Sequence, residues 1–196
     1  MDLEQFIRFF HIAKDRFEAN LGELSRLDSV LGDGDHGISM VKGFKGIEKE
    51  LSEHTFSSIS DLLGIAGRSL MKEIGGSCGP LFATVFLQGA AVAKGKQSME
   101  TADFAAMLRG GANSVMMLGK AKPGEKTMLD ALIPAAESLE KSADEKLDTS
   151  RALALAAEAA ERGAEETKNM LATKGRGRYQ GEKSLGHMYA GATIVS

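Results

Sequence analysis

Between Leu27 and Gly37 the chain reads LDSVLGDGDHG, placing Asp28, Asp33, Asp35 and His36 within nine positions, with glycines at 32, 34 and 37. If the first helix ends at Asp28 and the loop folds back, three carboxylates converge. Two unit charges ~4 Å apart repel by roughly 4 kcal/mol at an effective dielectric near 20, so such a cluster is either splayed into water or neutralised by cations. Ligands that are all oxygen favour Mg²⁺, Mn²⁺ or Ca²⁺ over zinc. Asp and Gly are also ordinary turn residues, and a solvated acidic turn fits this loop, taken alone, equally well. An EF-hand does not fit: counted from Asp33, the positions that need Gly and Glu hold Ile38 and Phe44. A dinucleotide fingerprint does not fit either. GDGDHG satisfies the glycine spacing, but no strand pattern precedes it and bare aspartates would repel a pyrophosphate.

Two further loops have the composition of anion sites. GGSCGP (75–80) crowds small residues in front of an apolar run. Backbone N–H groups there could approach an anion at a helix N-terminus, where the helix dipole favours negative charge. A plain helix–helix connection is the simpler alternative, although it needs fewer glycines. The segment KGRGRYQGEKS (174–184) supplies Lys174, Arg176, Arg178 and Lys183. These could meet phosphate charge, or each could belong to a solvated basic loop. GKAKPGEKT (119–127) imitates a Walker A loop, but Glu125 separates Gly124 from Lys126-Thr127 and the preceding residues read as helix. Metal ligands, an anion cradle and a basic loop together are the inventory of phosphoryl transfer.

The elements that must position these loops are helices. Leu3, Phe6, Ile7, Phe10, Ile12, Phe17 and Leu21 form one stripe at helical spacing. Further helices are predicted over about 38–51, from Ser60 or Asp61 to Ile74, from Pro80 through LFATVFLQGAAVA, and from Thr101. Two more start at Thr127 and at Asp148 or Thr149, the last reaching about Thr173. No period-2 strand, repeat or linker interrupts them, so the expectation is one all-α domain over residues 1–196, with seven or eight helices in a bundle or barrel. Many of the 23 glycines fall in the four loops at 32–37, 75–79, 119–124 and 175–181.

Composition narrows the setting. With 196 residues and 43% hydrophobic residues the chain can build a substantial core. Lys+Arg 24 against Asp+Glu 27 gives a net charge of 24 − 27 = −3, which argues against a nucleic-acid surface. The lone Cys78 excludes an intramolecular disulfide and suits a reducing compartment. The opening MDLEQFIRFFHIAKDR mixes charges into every turn, unlike a signal peptide, and no apolar run approaches a membrane span. A cytoplasmic protein is expected.

Four segments, in order, resemble the nucleotide-binding L subunits of dihydroxyacetone kinases: LDSVLGDGDHGISMVKGF (27–44), GGSCGPLFATVFLQGA (75–90), GKAKPGEKTMLDALIPA (119–135) and KGRGRYQGEKSLGHMYAGAT (174–193). The resemblance implies an antiparallel eight-helix barrel with the nucleotide bound in the loops at one end. It implies two Mg²⁺ ions on Asp28, Asp33 and Asp35, and a nucleotide lined by His36, Gly37, Ile38 and Ser39. Ser77 and Cys78 would present amides to the phosphates, Gly119 and Met128 would flank the adenine, and Arg176 would contact the transferred phosphate. By the same resemblance Tyr189, Ala190 and Gly191 would stand beside the nucleotide, where the family usually has Asp-Pro-Gly or Asp-Ala-Gly, so that Tyr189 replaces an acidic residue. The resemblance further implies that a partner subunit holds the ketose. ADP would be a bound cofactor rephosphorylated by a phosphotransferase-system protein, or ATP an exchanging substrate.

Overall fold

The computed structural model describes all residues, Met1–Ser196. Helix α1 (Leu3–Ala19) opens on a capping box: Asp2 accepts from the Gln5 amide and Gln5 accepts from the Asp2 amide, both at 2.9 Å. The stripe that predicts one helix through Leu21 is divided at Asn20, and α2 (Leu21–Leu31) follows at once. Asp28 therefore lies in the last turns of a second helix, not at the end of the first. Asn20 uses its side-chain amide to donate to the Arg16 carbonyl, the local competition with helical bonding for which Asn is a poor helix former.

The remaining helices are α3 (His36–Glu53), α4 (Ile59–Glu73), α5 (Cys78–Val92), α6 (Thr101–Gly119), α7 (Leu129–Asp144), α8 (Thr149–Glu166) and the short α9 (Ala190–Thr193). Eight long helices and no strand match the sequence-based expectation; the one β-type pairing is an isolated bridge between Asp2 and Ser98. Some boundaries differ. Ser58, ahead of the expected start, caps α4 by accepting from the Asp61 amide. Asp148 caps α8 as expected. That helix stops at Glu166, where a 3₁₀ turn (Thr167–Asn169) begins. The basic loop coils into a 3₁₀ segment (Arg176–Ser184) broken at Gly181.

Consecutive helices from α3 to α8 pack side by side through short connections, so the chain runs up and down. Alternate connections must then share an end. The α2–α3, α4–α5, α6–α7 and α8–α9 connections, which hold the Gly-rich loops, lie together. At the opposite end Met1 and Met99 exchange backbone bonds and the Thr101 hydroxyl donates to the Leu147 carbonyl. α9 packs on α7, α8 and α2, and the 3₁₀ segment also packs on α2, which ties α8 back towards the N-terminal helices.

The core is aromatic on the α1–α3–α5 side, where Phe10 lies 6.4 Å from Phe44 and 5.6 Å from Phe86 between ring centroids. It is alanine-rich between α7 and α8: Ala131, Ala135, Ala152, Ala156 and Ala160 are all buried. Pro134 sits inside α7 and has no N–H, leaving the Asp130 carbonyl without its i+4 donor. Gly163 of α8 lies against that carbonyl so closely that an added Cβ would come within 2.1 Å of its oxygen. Gly163→Ala should therefore force α7 and α8 apart and lower stability by about 1–3 kcal/mol. An unchanged urea midpoint would show that the two helices are free to separate.

Candidate functional site: a carboxylate cluster at the loop end

Asp28 is buried and projects from α2 into the turn that follows it. Its Oδ2 accepts the Gly34 amide at 2.9 Å, and Gly34 adopts φ +77° to present that amide. Gly32 passes so close that a Cβ there would lie 2.6 Å from Asp28 Oδ1. The glycines of this loop thus let the backbone wrap a buried carboxylate. Asp35 occupies the cap position of α3 but makes no capping bond. Carboxylate oxygens of Asp28, Asp33 and Asp35 all lie within 4.8 Å of one another, the convergence expected from the sequence. Arg176, from the 3₁₀ segment, forms an ion pair with Asp33.

One amide and one guanidinium do not balance three carboxylates. At this separation each pair repels by roughly 3 kcal/mol at an effective dielectric near 20, before solvent screening. The donor set is all oxygen and partly open to solvent, and fits a hard divalent cation such as Mg²⁺.

Around the cluster the structure gathers several of the other expected residues. His36 Nε2 lies 4.0 Å from Cys78 Sγ, and its ring stands edge-on to Phe82 at 6.4 Å. Burial pushes the His36 pKa below its ordinary value, with Asp28 and Asp35 opposing. The Cys78 thiol is pushed up to about 12 by burial first, then by Asp35 and Asp28, so it stays protonated and is no nucleophile. Tyr189 is likewise raised to about 12, by burial first and then by Cys78 and Asp28. Gly75, Gly76 and Ser77 are exposed, and no side chain caps α5.

The rest of the expected set is placed by its own elements. Ile38 is exposed and Ser39 half-buried on α3, while Gly37 is buried with its Cα against the Leu21 carbonyl. Gly119 closes α6, and Met128 is buried in the core at the start of α7. Ala190 and Gly191 are buried, with Gly191 against the Tyr189 ring.

Two residues that the sequence reading left without a role organise the α6–α7 loop. Buried Asp130 accepts the Gly124 amide at 2.5 Å and the Thr127 amide at 2.6 Å, while the Thr127 hydroxyl accepts the Leu129 amide. An Asp three residues after a candidate cap was the available signal. Lys126 is 1% exposed, and its ammonium donates to the carbonyls of Thr167, Ser184 and His187 at 2.6, 2.7 and 2.6 Å, with Met170 at 3.3 Å. No local pattern announces such a residue, because its partners lie 41 to 61 positions away.

An all-helical chain whose loop end concentrates a carboxylate cluster, an uncapped helix start and an arginine has the make-up of a helical domain that takes a metal and an anion. The comparisons make this specific: the DAK2 domain matches residues 30–196, and the chain belongs to that family. It is 38% identical over 191 residues to the PEP-dependent dihydroxyacetone kinase, ADP-binding subunit DhaL, of Escherichia coli (strain K12), covering 97% of this chain and 91% of that one. It is 32% identical over 177 residues to the PTS-dependent dihydroxyacetone kinase, ADP-binding subunit DhaL, of Lactococcus lactis subsp. lactis (strain IL1403), covering 90% of this chain and 84% of that one. These relatives are phosphotransferase subunits. The native crystal structure of the dihydroxyacetone kinase of C. freundii superposes with a TM-score of 0.73 at 25% identity, over 95% of this chain and 31% of that longer one.

Asp35 carries one of the mutually repelling charges and makes no capping bond. Asp35→Asn should therefore make the metal-free protein more stable, by roughly 0.5–1 kcal/mol after screening. Thermal unfolding in a chelator checks this; a lower melting temperature would mean that Asp35 holds a stabilising contact instead.

Proposed function

We propose that residues 1–196 form one domain that serves as the ADP-binding subunit of a dihydroxyacetone kinase, passing a phosphoryl group to dihydroxyacetone, or a related short ketose, held by a partner subunit. The observation that carries this reading is the convergence of Asp28, Asp33 and Asp35, with Arg176 at its edge, in a chain that aligns almost end to end with ADP-binding subunits. Asp28, Asp33 and Asp35 would hold two Mg²⁺ ions. Bound there, the ions would neutralise charge on the nucleotide phosphates.

The chain's own residues would supply positioning. His36, Gly37, Ile38 and Ser39 would line the nucleotide, and Ser77 and Cys78 would offer amides to its phosphates at the start of α5. Gly119 and Met128 would border the base; Tyr189, Ala190 and Gly191 would close the remaining side. Arg176 is the catalytic residue in this reading: its guanidinium pairs with Asp33 at the edge of the carboxylates and would meet the charge that builds on a transferred phosphoryl group. No covalent intermediate on the chain is required, consistent with a Cys78 thiol that stays protonated. Near-complete coverage of the PEP- and PTS-dependent relatives favours ADP as a resident cofactor, rephosphorylated by a phosphotransferase-system protein in the cytoplasm.

Native mass spectrometry of gently purified protein should show one ADP and two Mg²⁺ retained together, and Asp33→Ala should lose both. Arg176→Ala, assayed with the sugar-binding and phosphoryl-donor subunits, should lower kcat about 100-fold or more while ADP stays bound. Protein that holds no ADP but turns over ATP would replace the cofactor mode with an ATP-dependent one. Bound ADP without transfer to any triose or tetrose would leave a nucleotide-binding module in place of a kinase subunit.

A further inference from the structure

The 3₁₀ segment that carries Arg176 and the stretch leading to Tyr189 have little apolar anchoring. Between residues 167 and 189 only Thr167, Ala172, Gly177 and Ser184 are buried. Gly177 rests near Ala172 and Leu31, the Gly186 amide donates to the Lys168 carbonyl at 2.8 Å, and the Tyr189 amide donates to the Thr167 hydroxyl at 2.9 Å. The Ser184 hydroxyl accepts the Ala172 amide at 3.0 Å and the Thr173 amide donates to the Glu125 carbonyl at 3.3 Å, but the one group that reaches all three parts is the Lys126 ammonium. Three short bonds, to Thr167, Ser184 and His187, use all three of its protons on three different parts of the segment. Lys126 itself adopts φ +58°, a left-handed conformation that costs a side-chain-bearing residue energy and persists only where the surroundings dictate it. Buried Asp130, which holds the flanking amides of Gly124 and Thr127, fixes that turn from below.

We infer that Lys126 is a positioning residue for phosphoryl transfer: its buried ammonium gathers the end of α8, the Arg176-bearing segment and the approach to Tyr189 onto the α6–α7 loop, and so sets where Arg176 stands. It touches none of the carboxylates and needs no contact with the nucleotide. The catalytic half of this inference rests on the function proposed above; the structural half does not.

The test is Lys126→Met, which keeps the length of the side chain and removes the charge and its donors. Amide hydrogen exchange, read on nucleotide-free protein, should rise about tenfold or more across 167–189 while α1 and α4–α6 keep their wild-type rates. With both partner subunits present, kcat should fall about 100-fold, with the nucleotide half-saturation changing far less. Unchanged exchange in 167–189 would overturn the pin, and an equal rise through every helix would reduce Lys126 to a general core residue. Local loosening with wild-type kcat would overturn the positioning role. If wild-type protein itself neither binds nucleotide nor transfers phosphate, the proposed function falls, and the exchange result still decides the pin. Should the methionine variant not fold, the wild-type ammonium answers directly. Shielded and bonded, its protons should persist in a ¹H–¹⁵N spectrum near neutral pH, and their absence would overturn the inference.

Discussion

The mutual repulsion of three carboxylates is the constraint around which the loop end is organised. Asp28, Asp33 and Asp35 cannot stay within 4.8 Å of one another unless the backbone carrying them is held from outside. α2 and α3 supply that hold, one ending and the other beginning within five residues of each other. The barrel beneath them serves the same purpose at larger scale. An up-and-down helical chain brings every second loop to one end without further design, so residues from four distant stretches meet there. Stability resides in the aromatic and alanine-rich middle, and the candidate site lies at the rim.

Much of this was legible in the residues. The acidic loop declared itself through charge and glycine spacing, because a local cluster needs only a turn to converge. Helix periodicity pointed to seven or eight helices, and Asp148 caps α8 as its type suggests. The division at Asn20 was not visible, since apolar residues keep their helical spacing on either side of it and only a side-chain bond to the Arg16 carbonyl marks the break. The end of α8 was read too long for a different reason. Just past Glu166 the carbonyls of Thr167 and Lys168 accept from the Lys126 ammonium and the Gly186 amide, partners that no window of local sequence contains. Lys126 looked like a failed phosphate loop for the same reason. Its partners are backbone carbonyls, which carry no residue-type signal.

The neighbourhood of Asp28 also separates chemistry from packing. Cys78 and Tyr189 are titratable groups near the carboxylates, yet burial and negative charge both hold them in their neutral forms. Near such a cluster a thiol or phenol behaves as a small wall element. The ionised groups that remain at the rim are the aspartates and Arg176, which is the division of labour expected where a reaction proceeds by charge neutralisation and not through a covalent adduct.

The bonds from Lys126 to residues 167–187 also bear on how the chain acquires its working end. They span 41 to 61 positions and join parts that bury little apolar surface of their own. Loop-closure entropy opposes such contacts until α7 and α8 already stand side by side, so nothing in the segment can nucleate folding. The expected order is the barrel first and the rim last. A chain caught between those two events would have native helix content and most of its core, and would still lack an ordered rim.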